Sequence, residues 1–193
     1  MSRQFLMAGV MLVGLSAVVE AQDSTTLQRD INQQNRIEQG LQSGQLNTRE
    51  AGKLERGDAR IDRMESNAMK DGTVSDKEAA RINRAQNQAS QQINELKHNS
   101  VTGNPDSASS QRMQNDVQRN ANQEQRIQQG VQSGALTTKE AGSLERGQAR
   151  TDRKQAKAAA DGHVGAREQA RIQNRENRQS AKIYNRKHND KVR

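Results

Sequence analysis

One stretch of this chain occurs twice. Arg36–Gly57 reads RIEQGLQSGQLNTREAGKLERG, and ninety positions later Arg126–Gly147 reads RIQQGVQSGALTTKEAGSLERG. Extended without a gap, residues 35–99 align with 125–189, and roughly half the positions are identical, against ~6% expected by chance for ordinary residue usage. The matches include Gly44/Gly134, Glu50/Glu140, Leu54/Leu144, Asp71/Asp161, Glu78/Glu168 and Ile82/Ile172, and both copies close on Lys-His-Asn. A repeat of this length is one supersecondary unit used twice, so whatever the first copy folds into the second must also fold into.

Inside each copy the apolar residues recur at three- and four-residue steps. Leu27, Ile31, Gln34, Ile37 and Leu41 form one stripe, and Met113, Val117, Asn120, Ile127 and Val131 echo it; Ala79, Ile82, Gln86, Ala89, Ile93 and Leu96 form another. These are narrow helical stripes with polar residues at some core positions. No segment alternates with period two, and the fold class is all-α.

The joints are explicit. Gly44 and Gly134 suit the left-handed residue that ends a helix. Asn47 with Glu50, Thr137 with Glu140, and Ser75 with Glu78 spell capping boxes, whereas Gly165 precedes Glu168 with no side chain to cap. Each copy therefore reads as helix, tight turn, helix, tight turn, helix. Residues 23–99 form the first three-helix unit and 111–189 the second, with 190–193 a tail. Between them 100–110, SVTGNPDSASS, holds the only proline and reads as a flexible linker. Gly52 and Gly57, repeated as Gly142 and Gly147, stand inside the middle helices, where glycine costs ~1 kcal/mol against alanine.

The first 21 residues have the form of an export signal. Arg3 is followed by an apolar run from Phe5 to Val19, and Val19-Glu20-Ala21 places small residues where a signal peptidase reads. The run is short of the ~20 residues a membrane span needs. We expect a mature chain beginning at Gln22, periplasmic or secreted, with no transmembrane span after cleavage. The chain has no cysteine for a disulfide or lipid anchor, and its only aromatics are Phe5 and Tyr184, which argues against an aromatic-lined ligand pocket.

Charge separates the copies. From Asp23 to Asn99 twelve basic residues balance twelve acidic ones, while from Gln111 to Arg193 eighteen face nine. Arg171, Arg175, Arg178, Lys182 and Arg186 fall along one helix and are the candidate anion-binding residues. They suit an anionic envelope component, lipid or glycan; a protein partner is the other class of contact. Nucleic acid is disfavoured by the missing stacking aromatics and by the export signal.

The metal candidates are Asp71, Ser75 and Glu78. With Gly72 sixth in a calcium loop, these fall fifth, ninth and twelfth, with Val74 eighth. Positions one and three hold Asn67 and Met69, and the second copy has Lys157 and Ala159, so the likeness to an EF-hand loop covers half of each turn. A capping box accounts for the same glycine, hydroxyl and glutamate without calcium. His98, His163 and His188 form no ligand pair at helical spacing, no serine sits in a nucleophile elbow, and the remaining acids read as helix-surface charges.

The elements QG-x-x-SG-x-L-T-x-x-EA-x-x-LE, DG-x-V and KH-N resemble those of a group of exported bacterial helical-repeat proteins, a likeness that covers nearly all of the mature chain and implies no activity. Leu136-Thr137-Thr138-Lys139-Glu140 is also similar to the Leu-Thr-x-x-Gln motif of periplasmic stress chaperones, with glutamate in the last place. The expectation is an exported, non-enzymatic helical binding or structural protein whose cationic second repeat meets anionic envelope components, without a cofactor. The alternatives are a weak calcium-binding EF-hand-like module and a periplasmic helical chaperone.

Overall fold

A computed structural model describes residues 14–190 of the chain, with side chains described from residue 25. The described residues are all-helical: α1 Gly14–Gln42, α2 Thr48–Ala68, α3 Asp76–Lys97, α4 Ala108–Gln132, α5 Thr138–Ala158 and α6 Ala166–Lys187, with a short 3-10 turn, Ala159–Asp161, after α5. Of the expected leader, residues 1–13 lie outside the described range, as do 191–193 of the tail. No helix among the described residues is long and apolar enough to cross a membrane.

The joints form as their residues dictate. Gly44 and Gly134 take φ of 74° and 73°, a conformation that only glycine adopts cheaply. The chain then turns so that Leu46 N donates to Gly40 O and Leu136 N to Gly130 O. Asn47, Ser75 and Thr137 each accept a bond from the backbone N–H three residues on, and Glu50, Glu78 and Glu140 return it. At Gly165 only the return bond exists, from its N–H to Glu168 Oε2 at 3.0 Å.

The two halves are interlocked. The most extensive interfaces in the molecule are α2 against α5 and α1 against α4, both joining the first half to the second. Both pairs are antiparallel: Gly52 near the start of α2 meets Ala159 beyond the end of α5, Gly142 meets Met69 in the same way, and Gln128 of α4 donates to Gln28 of α1 at 3.0 Å. Helix α3 lies across α1 and α2, and α6 lies across α4 and α5. The duplicated halves are thus related by an approximate two-fold axis between α2 and α5.

This differs from two units strung on a flexible linker over 100–110. Ala108, Ser109 and Ser110 begin α4, with Ser107 as its cap. Gly103 N donates to Gly44 O at 2.8 Å, and Gly103 lies so tightly on the Leu46 carbonyl that no side chain fits there. Ser109 accepts from Val164 N at 2.8 Å and meets Thr48 Oγ1 at 3.2 Å. The connection is docked because its small polar residues satisfy backbone groups at the meeting point of the halves.

Burial explains the interlock. One apolar cluster contains Leu27, Ile61, Met69 and Ile82 from the first half with Ile127, Leu136, Leu144 and Ile183 from the second. The other contains Ile37, Leu46, Leu54 and Ile93 with Met113, Val117, Val164 and Ile172. Among the described residues both clusters draw on both halves. Between the two clusters lies a buried stretch that is polar: Gln34, Gln86 and Asn120, the polar members of the helical stripes, are all buried there.

Candidate metal centre

The middle of the bundle is lined with acids. In α2, Glu55, Asp58, Asp62 and Glu65 follow one another at three- and four-residue steps and therefore share a face. All four are buried, as are Asp30 of α1, Asp116 and Glu124 of α4, Glu145 and Asp152 of α5, and Glu176 of α6. Among the described residues no lysine or arginine is buried to match them. The sequence-based reading of these acids as helix-surface charges is thereby corrected. The face they occupy would be solvated in either half alone and becomes interior when the other half covers it.

One group stands out by geometry. Asp62, Glu124 and Glu145 each offer a carboxylate oxygen, and these oxygens lie within 4.8 Å of one another. The residues are 4%, 3% and 0% exposed. Asp62 Oδ2, Glu124 Oε2 and both oxygens of Glu145 accept no hydrogen bond. Gln148, 1% exposed, holds its amide beside Glu124 and draws that carboxyl down against the effect of burial.

The electrostatics are unusual in having almost no compensation. Burial pushes the carboxyls of Asp30, Glu55, Asp58, Asp62, Glu124 and Glu145 well above the ordinary range, and neighbouring acids push in the same direction. Burial also raises Asp152 to about 7. Asp62 shares a hydrogen bond with Asp152, its counterpart across the pseudo-two-fold axis. Arginines enter only at the rims: Arg29 lowers Asp30, and Arg119 lowers Asp116 and Glu176, lying 3.5 Å from the latter. An ionised carboxylate taken from water without a partner costs far more than a small helical protein possesses in stability. Carboxyls so placed hold either protons or a cation.

All the ligand atoms here are hard oxygens, and no histidine or cysteine contributes. Such a set suits calcium, manganese or magnesium. Magnesium retains several waters, so a trio buried to this extent favours calcium or manganese.

The sites expected from sequence lie elsewhere. Asp71, Ser75 and Glu78 stand together on the exposed α2–α3 joint, but their oxygens are engaged locally. Asp71 Oδ1 accepts from Thr73 N at 3.0 Å, and Glu78 Oε2 accepts from Ser75 N at 3.0 Å and Ser75 Oγ at 2.6 Å. These hydrogen bonds hold Glu78 below the ordinary carboxylate range. Of the basic residues, Arg171, Arg178 and Lys182 are exposed on α6, while Arg175 and Arg186 are half-buried. Arg186 lies 3.7 Å from Glu140. Arg175 lines a groove with Arg150, Arg153 and Lys154 of α5, a cross-helix grouping that reading along α6 did not bring together.

What could have found the acidic centre is the repeat itself. Glu55/Glu145 and Asp62/Asp152 are identical in copies that differ at about half their positions. They fall on the side of the helix that also carries Leu54/Leu144.

Fold and centre together define a class: a duplicated all-helical bundle with an anionic interior and a cationic surface on its second half. Comparison with protein-family models, with curated proteins and with solved structures finds no match.

Proposed function

We propose that this is an exported helical protein, built from two copies of a three-helix unit, that binds a hard divalent cation in its core and performs no catalysis. The observation that carries this reading is the buried trio Asp62, Glu124 and Glu145, gathered within 4.8 Å with no buried base beside it. A calcium or manganese ion replaces the missing countercharge and gives the unpartnered oxygens something to bind. It also ties α2 to α4 and α5, so binding and stability are linked: at a concentration one hundred times its dissociation constant, the ion adds about 2.7 kcal/mol. Calcium binding thus enters at the core rather than at the turn.

The test is calorimetric titration of chelator-treated protein with calcium and with manganese. Binding that is lost in Asp62→Asn and Glu145→Gln but kept in Glu78→Gln is expected. Failure of either ion to bind, or loss of binding in Glu78→Gln alone, overturns the reading.

A second reading concerns the surface. The groove of Arg150, Arg153, Lys154 and Arg175 is lined by bases alone, whereas its first-half counterpart carries Met64 and Ala85 in place of Lys154 and Arg175. That difference favours contact between the second half and an anionic envelope surface.

A further inference from the structure

We propose that the core takes one cation per chain, held at Asp62, Glu124 and Glu145, and that the Asn120 amide fills the pseudo-equivalent position in the other half; this rests on the cation-binding reading above.

The pseudo-two-fold axis carries Asp62, Glu124 and Glu145 onto Asp152, Gln34 and Glu55. At that second position a donor is already present. Asn120 Nδ2 donates to Gln155 Oε1 at 2.8 Å, to Asp152 Oδ1 at 2.9 Å and to Glu55 Oε2 at 3.3 Å. Three acceptors from two helices converge on one amide nitrogen, which stands where a cation would otherwise draw them together. The Gln34 amide adds a second donor, to Asp58 Oδ2 at 3.2 Å.

At the first position both amides are replaced by acids. Asp30 stands for Asn120 and Glu124 for Gln34. The exchanges are isosteric: Asp30 in place of Asn120 removes a donor outright, whereas Glu124 in place of Gln34 is accompanied by Gln148 in place of Asp58, which keeps that amide–carboxyl pair with its roles exchanged. Gln86 Nε2 supplies Asp30 Oδ1 at 2.8 Å, but it does so from outside the trio. The trio leaves four carboxylate oxygens unpartnered, Asp62 Oδ2, Glu124 Oε2 and both of Glu145, whereas its counterparts leave one carboxylate oxygen, Glu55 Oε1, and the neutral Gln34 Oε1. Gln148, 1% exposed, points its amide at Glu124, and on turning over it would offer a further neutral oxygen to an ion. In one half, therefore, the protein carries the positive end of an amide dipole at the convergence point. In the other, Asp62, Glu124 and Glu145 meet further carboxyls and one neutral amide, Gln148, and a cation would supply the missing charge. Buried polar groups are almost always satisfied, which makes the difference between the halves the informative quantity.

The experiment uses full-length mature protein and manganese as the probe, with stoichiometry from titration calorimetry and elemental analysis after desalting. One manganese per chain is expected. Asp30→Asn, which installs the amide of the other half, should weaken binding roughly 10–100-fold, the usual cost of losing a supporting ligand. It should also raise the melting temperature of the metal-depleted protein. Asn120→Asp combined with Gln34→Glu should raise the stoichiometry to two. A wild-type stoichiometry of two, or Asp30→Asn binding one manganese with unchanged affinity, overturns this inference while cation binding itself stands. A folded Asn120→Asp, Gln34→Glu variant that still takes only one manganese does the same, and Asp30→Asn decides the matter if that double variant fails to fold. Absence of manganese and calcium from the wild type removes both the inference and the reading under it.

Discussion

Two glycines one turn and a half apart in α2 should respond to the same substitution in opposite ways. Alanine in place of Gly52 would put a Cβ 2.6 Å from the Cβ of Ala159 and 3.5 Å from the carbonyl oxygen of Ala156. Carbon atoms prefer about 3.5–4.0 Å, so the helices must part by roughly an ångström. The obstacle is a methyl carbon fixed to the backbone, which no rotamer change can move. Overpacking of this kind costs ~1–3 kcal/mol, and the better helix propensity of alanine returns only ~1 kcal/mol. At Gly57 the nearest atom to an added Cβ is Gln92 Oε1 at 3.9 Å, an ordinary contact with the end of a flexible side chain. There the propensity gain of up to ~1 kcal/mol stands nearly alone. For a chain of this length each kcal/mol shifts the melting temperature by about 2–4 °C. Gly57→Ala should therefore melt a few degrees above the wild type and Gly52→Ala several degrees below it. Gly142→Ala, which would set a Cβ 2.6 Å from Met69 Cβ, should behave as Gly52→Ala does. Thermal denaturation followed by circular dichroism measures all three. A rise in melting temperature for Gly52→Ala and Gly142→Ala would show that α2 and α5 do not pack as closely as described, and the interlock of the halves would fall with it.

Two further outcomes follow from the charges. Burial raises Asp116 from 3.8 to about 7 and Glu176 from 4.5 to about 8. Their folded values exceed their unfolded ones, so their contribution is fully present below pH ~4 and is lost as pH rises toward the folded values, at up to ~1.4 kcal/mol per unit for each group. Urea denaturation of the metal-depleted protein should give lower stability at pH 8 than at pH 5, and Asp116→Asn with Glu176→Gln should flatten the profile; stability that climbs over that interval would refute it. On the surface, Lys154→Met with Arg175→Ala converts the basic groove to the residues of the first half. At ~1 kcal/mol per base near an anionic membrane, it should weaken binding to phosphatidylglycerol vesicles roughly 30-fold in low salt. Wild-type binding indifferent to salt, or unchanged by the two substitutions, would show that the groove is only a solvated surface.

Much of this molecule is decided by local sequence. Helix, joint and cap depend on a few neighbouring residues: Gly44 at its left-handed turn, Ser75 and Glu78 exchanging bonds across one turn of backbone, Leu27 to Leu41 at helical steps. Such interactions close within four residues, so they can be read directly from the chain, and the all-α class with its six helices follows from them. The duplication likewise announces two equivalent halves. What the sequence does not contain is which faces those halves turn toward each other. Glu55, Asp58, Asp62 and Glu65 occupy a polar face that, in one copy alone, is indistinguishable from a solvated one. Only the antiparallel docking of α2 on α5, made close by Gly52 and Gly142, buries that face against its own counterpart and brings Glu124 and Glu145 to Asp62. The same docking decides that Asn120 faces acceptors while Asp30 faces other acids. A single isosteric exchange between amide and carboxyl has no visible consequence in a list of residues. In a dry interior, where every donor and acceptor must be matched, it determines where a charge is missing.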